Sequence, residues 1–481
     1  MQYANENLAI IADDLTGACD TACQFALYGF QPIVVSCLEP NLSTFWRKGF
    51  QDGVSAPAHA GERVERCAYH QDSESALLVV NTDSRKADGR SAARTVAEIA
   101  RTLRRGRCLL FYKKMDSTLK GNWAPELAAV VTVARPDLTV VAPAFPVWGR
   151  TTVEGFQCSQ GKPLFESRPP GSTPGTGTEE RESNLVDRLQ TEFGKRVCLF
   201  RRPSLKKGPA ATAKQMESAR SRGYAFQVFD AIEDDDLKTI VLASCRLDCK
   251  LLWTGSAGLA RYLPLGWGYS MTSKGAVPRP AVHRPTAAPV LVISGSFNPV
   301  NASQLECLLR SGLRLLWVED EDSANSAQTR AKLDQACQAL QAGIDVALSV
   351  RLNKPIRSAD HMQRLQDALQ FAALHCLQLR PLAGMVLVGG ETAMKLYRRA
   401  GAAALRMEGE VHPGIPCGRW IGGLLDGQPL VTKAGGFGQA DTLAKAVAFL
   451  KGESQPNGEA KARSEDREGQ RGRENAAKEH G

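Results

Sequence analysis

The chain has 481 residues, 43% of them hydrophobic and 23% charged, with a formal net charge of +9. That length exceeds what one compact core covers and points to two domains, while the ordinary composition excludes a collagen-like or wholly disordered chain. Lysine and arginine are spread along the sequence rather than gathered in one arm, which suits an anionic small ligand or a plain solvated surface and argues against nucleic acid as a partner.

The start, MQYANENLAIIADD, has no basic n-region and only a short apolar run, so no signal peptide is expected. No stretch reaches the ~18–20 apolar residues of a membrane span, so no membrane partner is expected either. The 13 cysteines are odd in number and read as free thiols in a reducing compartment, which predicts a cytoplasmic protein. Cys19/Cys23 and Cys245/Cys249 share a four-residue spacing. Without a second ligand pair they read as small buried hydrophobes, and no protein-built metal site is expected.

In chain order, LAIIADD, QPIVVSC, ALLVVNTDS, CLLFYKKMD and LTVVAPAF read as strands, with amphipathic helices over Gly17–Tyr28 and Ser91–Arg104. This alternation predicts an α/β fold with a mostly parallel sheet flanked by helices. Arg168–Ser183 is rich in Gly, Pro, Ser and Thr and reads as a loop or insertion. Gly266–Ala288, with Pro278, Pro280 and Pro285, reads as a linker. A second series follows: PVLVISGS, LRLLWVED, DVALSV, GMVLVGGE and PLVTKAGG. The expected layout is a domain over 1–265, a linker over 266–288, a second mostly parallel domain over 289–450 with a cleft between the two, and a disordered charged tail over 451–481.

Ligands of open α/β sheets gather at the carboxyl ends of the strands. Four early strand ends carry polar groups: Asp13 and Asp14; Asn81-Thr-Asp-Ser-Arg85; Lys113, Lys114, Asp116 and Ser117; and Pro143-Ala-Phe-Pro-Val-Trp-Gly-Arg150. Arg85, Lys114 and Arg150 are suited to gripping a carboxylate. Asp14 or Asp116 is suited to taking a proton from a hydroxyl or to holding a metal ion. Alternation along a strand puts Lys114 and Asp116 on one face, where they would pair, and sends adjacent Asp13 and Asp14 to opposite faces. In the second half, Ser294-Gly-Ser296, Gly389-Gly390-Glu391-Thr392 and Lys433-Ala-Gly435-Gly436 each place small residues and free N–H groups where a helix begins or a strand has ended, the geometry that binds phosphate. GxxxxGK[ST], GxGxxG, HRD/DFG, GxSxG and HExxH are absent. The adjacent aspartates of DDLT also differ from the phosphatase pattern that spaces two Asp by one residue.

The chain resembles the four-carbon acid sugar kinase family through IADDLTGACDTA, NTDSR, KKMDSTLKGN, APAFPVWGRTTVEG, TGSAGLA, ISGSFNPV, VGGETA, HPGIPCGR and VTKAGGFG, in the family's order from about residue 9 to 438. The resemblance implies ATP-dependent phosphorylation, with Mg²⁺, of the terminal hydroxyl of a four-carbon sugar acid such as threonate, erythronate or a 3-oxo-tetronate. It implies an N-terminal sugar-acid domain and a C-terminal nucleotide domain. Substrate contacts would fall on Asp13, Asp14, Arg85, Lys114, Asp116, Ser117 and Arg150, with Asp14, then Asp116, as the base. Nucleotide contacts would fall on Ser294, Ser296, Gly389, Gly390, Glu391, Thr392, Lys433, Gly435 and Gly436. Two departures stand out: Lys120 and Glu391 occupy positions where the family more often has Arg and Asp. The alternatives are a non-catalytic sensor of sugar acid and nucleotide, and a dinucleotide-dependent oxidoreductase, which the missing GxGxxG disfavours. A homodimer is the assembly to consider.

Overall fold

The structure is a computed structural model that describes residues 7–37, 76–166, 183–194, 196–271, 286–319, 327–351, 359–377 and 382–453. Most of the loop expected over Arg168–Ser183, the central part of the expected linker and the tail beyond Glu453 lie outside the described residues.

The first half supplies β1 (Asn7–Ala12), β2 (Gln31–Ser36), β3 (Ala76–Asn81), β4 (Cys108–Lys114) and β5 (Leu138–Ala142). A small antiparallel sheet follows, made of β6 (Arg150–Val153), β7 (Phe156–Ser159) and β8 (Lys162–Pro163). Then come β9 (Val197–Phe200), β10 (Phe226–Phe229) and β11 (Leu251–Gly255). Apart from β6–β8 these strands pair in parallel in the order β2-β3-β1-β4-β11-β5-β10-β9. Their runs are largely apolar because helices cover both faces; Leu8 through Ala12 are all buried.

The second half repeats the plan with β12 (Val290–Ser294), β13 (Arg314–Glu319), β14 (Val346–Arg351), β15 (Gly384–Val388), β16 (Ala404–His412), β17 (Ile415–Ile421) and β18 (Pro429–Lys433). Here β13-β14-β12-β15-β18 run parallel, and β17 and β16 continue the sheet antiparallel. The two mostly parallel sheets expected from the sequence are both present. They are also joined edge to edge: β16 pairs antiparallel with β2 through Leu405↔Val34 and Arg406↔Ile33, so one 15-stranded sheet crosses both halves.

The β16–β17 hairpin was missed in the sequence because its strands carry charges at several positions and lack a plain apolar run. Helix α1 (Leu15–Ala26) sits beneath the junction and is buried at every position but Gly17. Every described cysteine is free, and no helix among the described residues is long and apolar enough to cross a membrane.

Candidate active site

The adjacent parallel strands β3, β1 and β4 bring three of the polar strand ends side by side. Arg85 is the centre of what they build. Its Nε and Nη2 donate to both oxygens of Asp13 at 2.8 and 2.9 Å, and its Nη1 donates to Asp14 Oδ2 at 2.8 Å. Nη2 also lies 3.4 Å from Asp116 Oδ2. Burial alone would raise the Asp13 and Asp116 carboxyls. The Arg85 guanidinium, helped by Lys114, outweighs it, holding Asp13 below the usual carboxylate range and Asp116 at about 2.

Two expectations about orientation are corrected. Asp13 and Asp14 do not part to opposite faces, because β1 ends at Ala12 and Asp14 turns back as the N-cap of α1. Its Oδ1 accepts from the Gly17 N–H at 2.9 Å and its Oδ2 from the Thr16 hydroxyl at 2.8 Å. Nor does Lys114 pair directly with Asp116. The Lys114 Nζ donates to the Met115 carbonyl at 2.9 Å, and the Asp116 Oδ1 accepts from the Thr118 N–H at 2.7 Å and from the Thr118 hydroxyl. Asp116 lies beyond the end of β4, in a turn where strand alternation no longer applies.

Beneath these groups, Lys113 and Glu126 form a fully buried ion pair at 2.8 Å, and the Lys113 Nζ donates to the Lys114 carbonyl at 2.7 Å. The small β6–β8 sheet props the turn after β4. Gln157 Nε2 donates to the Ser117 carbonyl at 2.7 Å, while its Oε1 accepts from the Thr152 hydroxyl. Ser117 is buried and lines the cleft; Arg150, at the start of β6, is half-buried with its Nε lacking a hydrogen-bond partner.

The three glycine-rich turns follow the neighbouring strands β12, β15 and β18 and touch one another. Gly389 has φ of 103°, a conformation costly for any residue with a Cβ, and its N–H donates to the Lys433 carbonyl at 2.9 Å. A Cβ on Gly435 would lie 2.1 Å from the Ser296 hydroxyl oxygen. The Lys433 Nζ donates to the carbonyls of Ala434, Gly435 and Phe437 at 3.0, 3.1 and 2.9 Å, so this lysine shapes the turn from inside. Ser294 is likewise turned inward, accepting from Asn301 Nδ2 at 2.9 Å. Thr392 is buried beside Gly295. Glu391 is exposed and pairs with Lys86 and, at 3.3 Å, with Lys395. Lys120 is exposed.

The two halves meet over the cleft. A Cβ on Gly390 would lie 2.7 Å from Asp14 Oδ2, and Arg398 pairs with Asp83 at 2.6 Å. Trp148 stacks on Phe437 with ring centroids 5.2 Å apart and also faces His412 of the β16–β17 hairpin. Glu410 accepts from Arg261 Nη1 at 3.0 Å, from Gln24 Nε2 at 3.1 Å and from the Gly414 N–H at 3.1 Å, locking that hairpin to the first half. The cleft has about 450 Å³ of empty space including its open mouth.

Sequence reasoning missed Asp20, Arg261, Glu410 and His412. Asp20 was within reach, since it follows Gly17 at a helical spacing within IADDLTGACDTA.

Strand-end cations and carboxylates that meet glycine-rich turns of the kind able to cradle phosphate are the layout of a small-molecule phosphotransferase. The family models described as "Sugar-binding N-terminal domain" and "Nucleotide-binding C-terminal domain" match residues 8–263 and 291–443. The chain is 32% identical to a D-threonate kinase of Cupriavidus necator, over 90% of this chain and 95% of that protein. It is 28% identical to a D-threonate kinase of Salmonella typhimurium, over 92% and 98%. It is 28% identical to a 3-oxo-tetronate kinase of Cupriavidus necator, over 92% and 97%. A solved structure from Salmonella typhimurium LT2 shares the fold with a TM-score of 0.68 at 20% identity, covering 92% of this chain and 98% of that one. The chain belongs to the four-carbon acid sugar kinase family.

Proposed function

We propose that the protein transfers the γ-phosphoryl group of ATP to the terminal hydroxyl of a four-carbon sugar acid of the threonate, erythronate or 3-oxo-tetronate type. The observation that carries this reading is the approach of the Gly389–Thr392 turn to the strand-end cluster, with Gly390 against Asp14. A donor phosphate held on that turn would meet an acceptor held by the cluster, and positioning of this kind supplies most of the rate in phosphoryl transfer.

We assign the sugar acid to residues 1–265 and the nucleotide to 289–450, with 266–288 between them. Arg85 is occupied by Asp13 and Asp14, so its part is to hold the acidic cluster in place. The grip on the substrate carboxylate then falls to Lys114, whose ammonium spends one hydrogen bond on Met115, and to Arg150, with Ser117 beside them. Asp14 and Asp116 shape the cluster and orient the hydroxyl. The nucleotide phosphates lie on the Gly389–Thr392, Ser296 and Gly435–Gly436 backbone, and Ser294 and Lys433 stiffen these turns from behind.

No group of three or more His, Cys, Asp or Glu side chains among the described residues is placed to hold a metal ion, and the acidic cluster is centred on a guanidinium instead. Mg²⁺ therefore fits as an ion carried by the ATP phosphates rather than by a protein cage. The free thiols fit a reducing cytoplasm.

The test is ADP release over D- and L-threonate, D- and L-erythronate and the 3-oxo acids. Release with one or more of these, lost on chelating Mg²⁺ and restored by adding it back, is the expected result. Binding of acid and ATP without release would favour the sensor. Gly435→Ala forces the new methyl group into Ser296, an overpacking that costs about 1–3 kcal/mol. It is expected to raise KM for ATP about tenfold while leaving KM for the acid unchanged, as steady-state kinetics would show.

A further inference from the structure

Phosphoryl transfer to a hydroxyl requires that the hydroxyl give up its proton, and the group taking it needs a free lone pair facing the acceptor. The carboxylates of the strand-end cluster are already engaged with the Arg85 guanidinium and with local donors. Both oxygens of Asp13 are bound by Arg85. Asp14 spends one oxygen on the cap of α1 and the other on Thr16 and Arg85. Asp116 spends one on Thr118 and turns the other toward Arg85.

Asp20 differs from all three. It lines the same cleft from the second turn of α1 and is 7% exposed, yet its Oδ1 has no hydrogen-bond partner. A buried, unpartnered carboxylate oxygen at the wall of a cleft is placed to accept from a group bound there. Lys114, assigned above to the substrate carboxylate, lies close by on the same side of the helix, its Nζ 3.2 Å from where a Cβ on Gly17 would sit. The charged groups facing Asp20 come from four elements: Asp14 at the helix cap, Lys114 at the end of β4, Glu410 on β16 and Arg261 after the TGSAGLA turn. Burial, with the like charges of Glu410 and Asp14, lifts its carboxyl to about 7 against the opposing pull of Lys114 and Arg261. That is the range in which a base takes a proton at neutral pH and can shed it again.

We infer that Asp20 is the general base of the transfer, a role that rests on the kinase reading above. The O–H bond of the terminal hydroxyl breaks and its proton passes to Asp20 Oδ1. The freed oxygen pair forms the new bond to the γ-phosphorus as the bond from that phosphorus to the bridging oxygen of ADP breaks. ADP departs with those electrons, and the proton leaves Asp20 for solvent once the cleft opens.

The experiment measures kcat, KM and thermal melting of the full chain and of Asp20→Asn and Asp20→Glu across pH, using whichever acid the unaltered protein turns over. For Asp20→Asn the expected kcat falls about 10²–10⁴-fold with KM for the acid within about threefold, and the fall in rate on acidification disappears. Its melting temperature above neutral pH stays equal or rises, because the amide replaces a buried unpartnered charge. Asp20→Glu, which keeps a carboxylate, retains part of the rate and the acidic fall. An Asp20→Asn protein with near-normal kcat overturns the assignment. So does one that melts lower or fails to fold, because the residue is then structural. Absence of ADP release by the unaltered chain with every acid overturns the kinase reading itself, and that result needs no variant.

Discussion

Arg85→Leu is expected to abolish measurable turnover and to destabilise the fold by about 3–5 kcal/mol, the scale for removing one partner of a buried charge pair. The guanidinium faces Asp13, Asp14 and Asp116, and its side chain is only 25% exposed, so solvent cannot take its place. The pH dependence gives the prediction its sign. In the unaltered protein Asp13 and Asp116 titrate below their unfolded value, Asp116 at about 2. Their contribution is therefore full above about pH 4 and is lost as pH falls through about 2. In the variant those carboxyls keep only the weaker pull of Lys113 and Lys114 on Asp13 and of Lys114 on Asp116, so burial moves their titration up. Acid then costs the variant less than the unaltered protein, and the gap between the two narrows on acidification. Urea melts at a series of pH values test this; a gap that is constant with pH would show that Arg85 acts by packing alone.

Glu410→Ala is expected to cost a similar amount, about 3–5 kcal/mol, and to damage catalysis from outside the cluster. The carboxylate satisfies Arg261, Gln24 and the Gly414 N–H together, and Gly414 lines the cleft. Truncation leaves a largely buried cation unpaired and frees the hairpin that carries His412. Both KM values are expected to rise along with the loss of stability. Pairing Glu410→Met with Arg261→Met separates the two effects. Stability should return in large part, since no charge is left unpaired, while KM stays raised because the hairpin is still unanchored. Denaturation and steady-state kinetics on the single and double variants read both.

Where a strand is buried on both faces, its sequence is largely apolar and easily read; LAIIA and LLVV fall in β1 and β3. The polar strand ends were legible for the same reason, because a charged pair directly after such a run marks the carboxyl edge of the sheet. What a charged side chain does there was not legible. Arg85 reads as a substrate grip in isolation, and only the three-dimensional convergence of Asp13, Asp14 and Asp116 shows that three of its N–H groups are already given to carboxylates. Lys433 reads as a phosphate ligand, but its ammonium is turned into carbonyls of its own turn. Contacts that join the halves, such as Gln24 with Glu410, are separated by 386 positions and leave no local pattern.

The pairing of β16 with β2 has a consequence for how the halves depend on each other. Taken apart, each would present a strand with one unsatisfied row of N–H and C=O groups. In the first half that strand is the apolar QPIVVS, the kind of open border that recruits foreign strands and seeds aggregation. Each half is thus the other's edge protection. A gene cut between them should yield fragments that stay soluble together and precipitate when made alone.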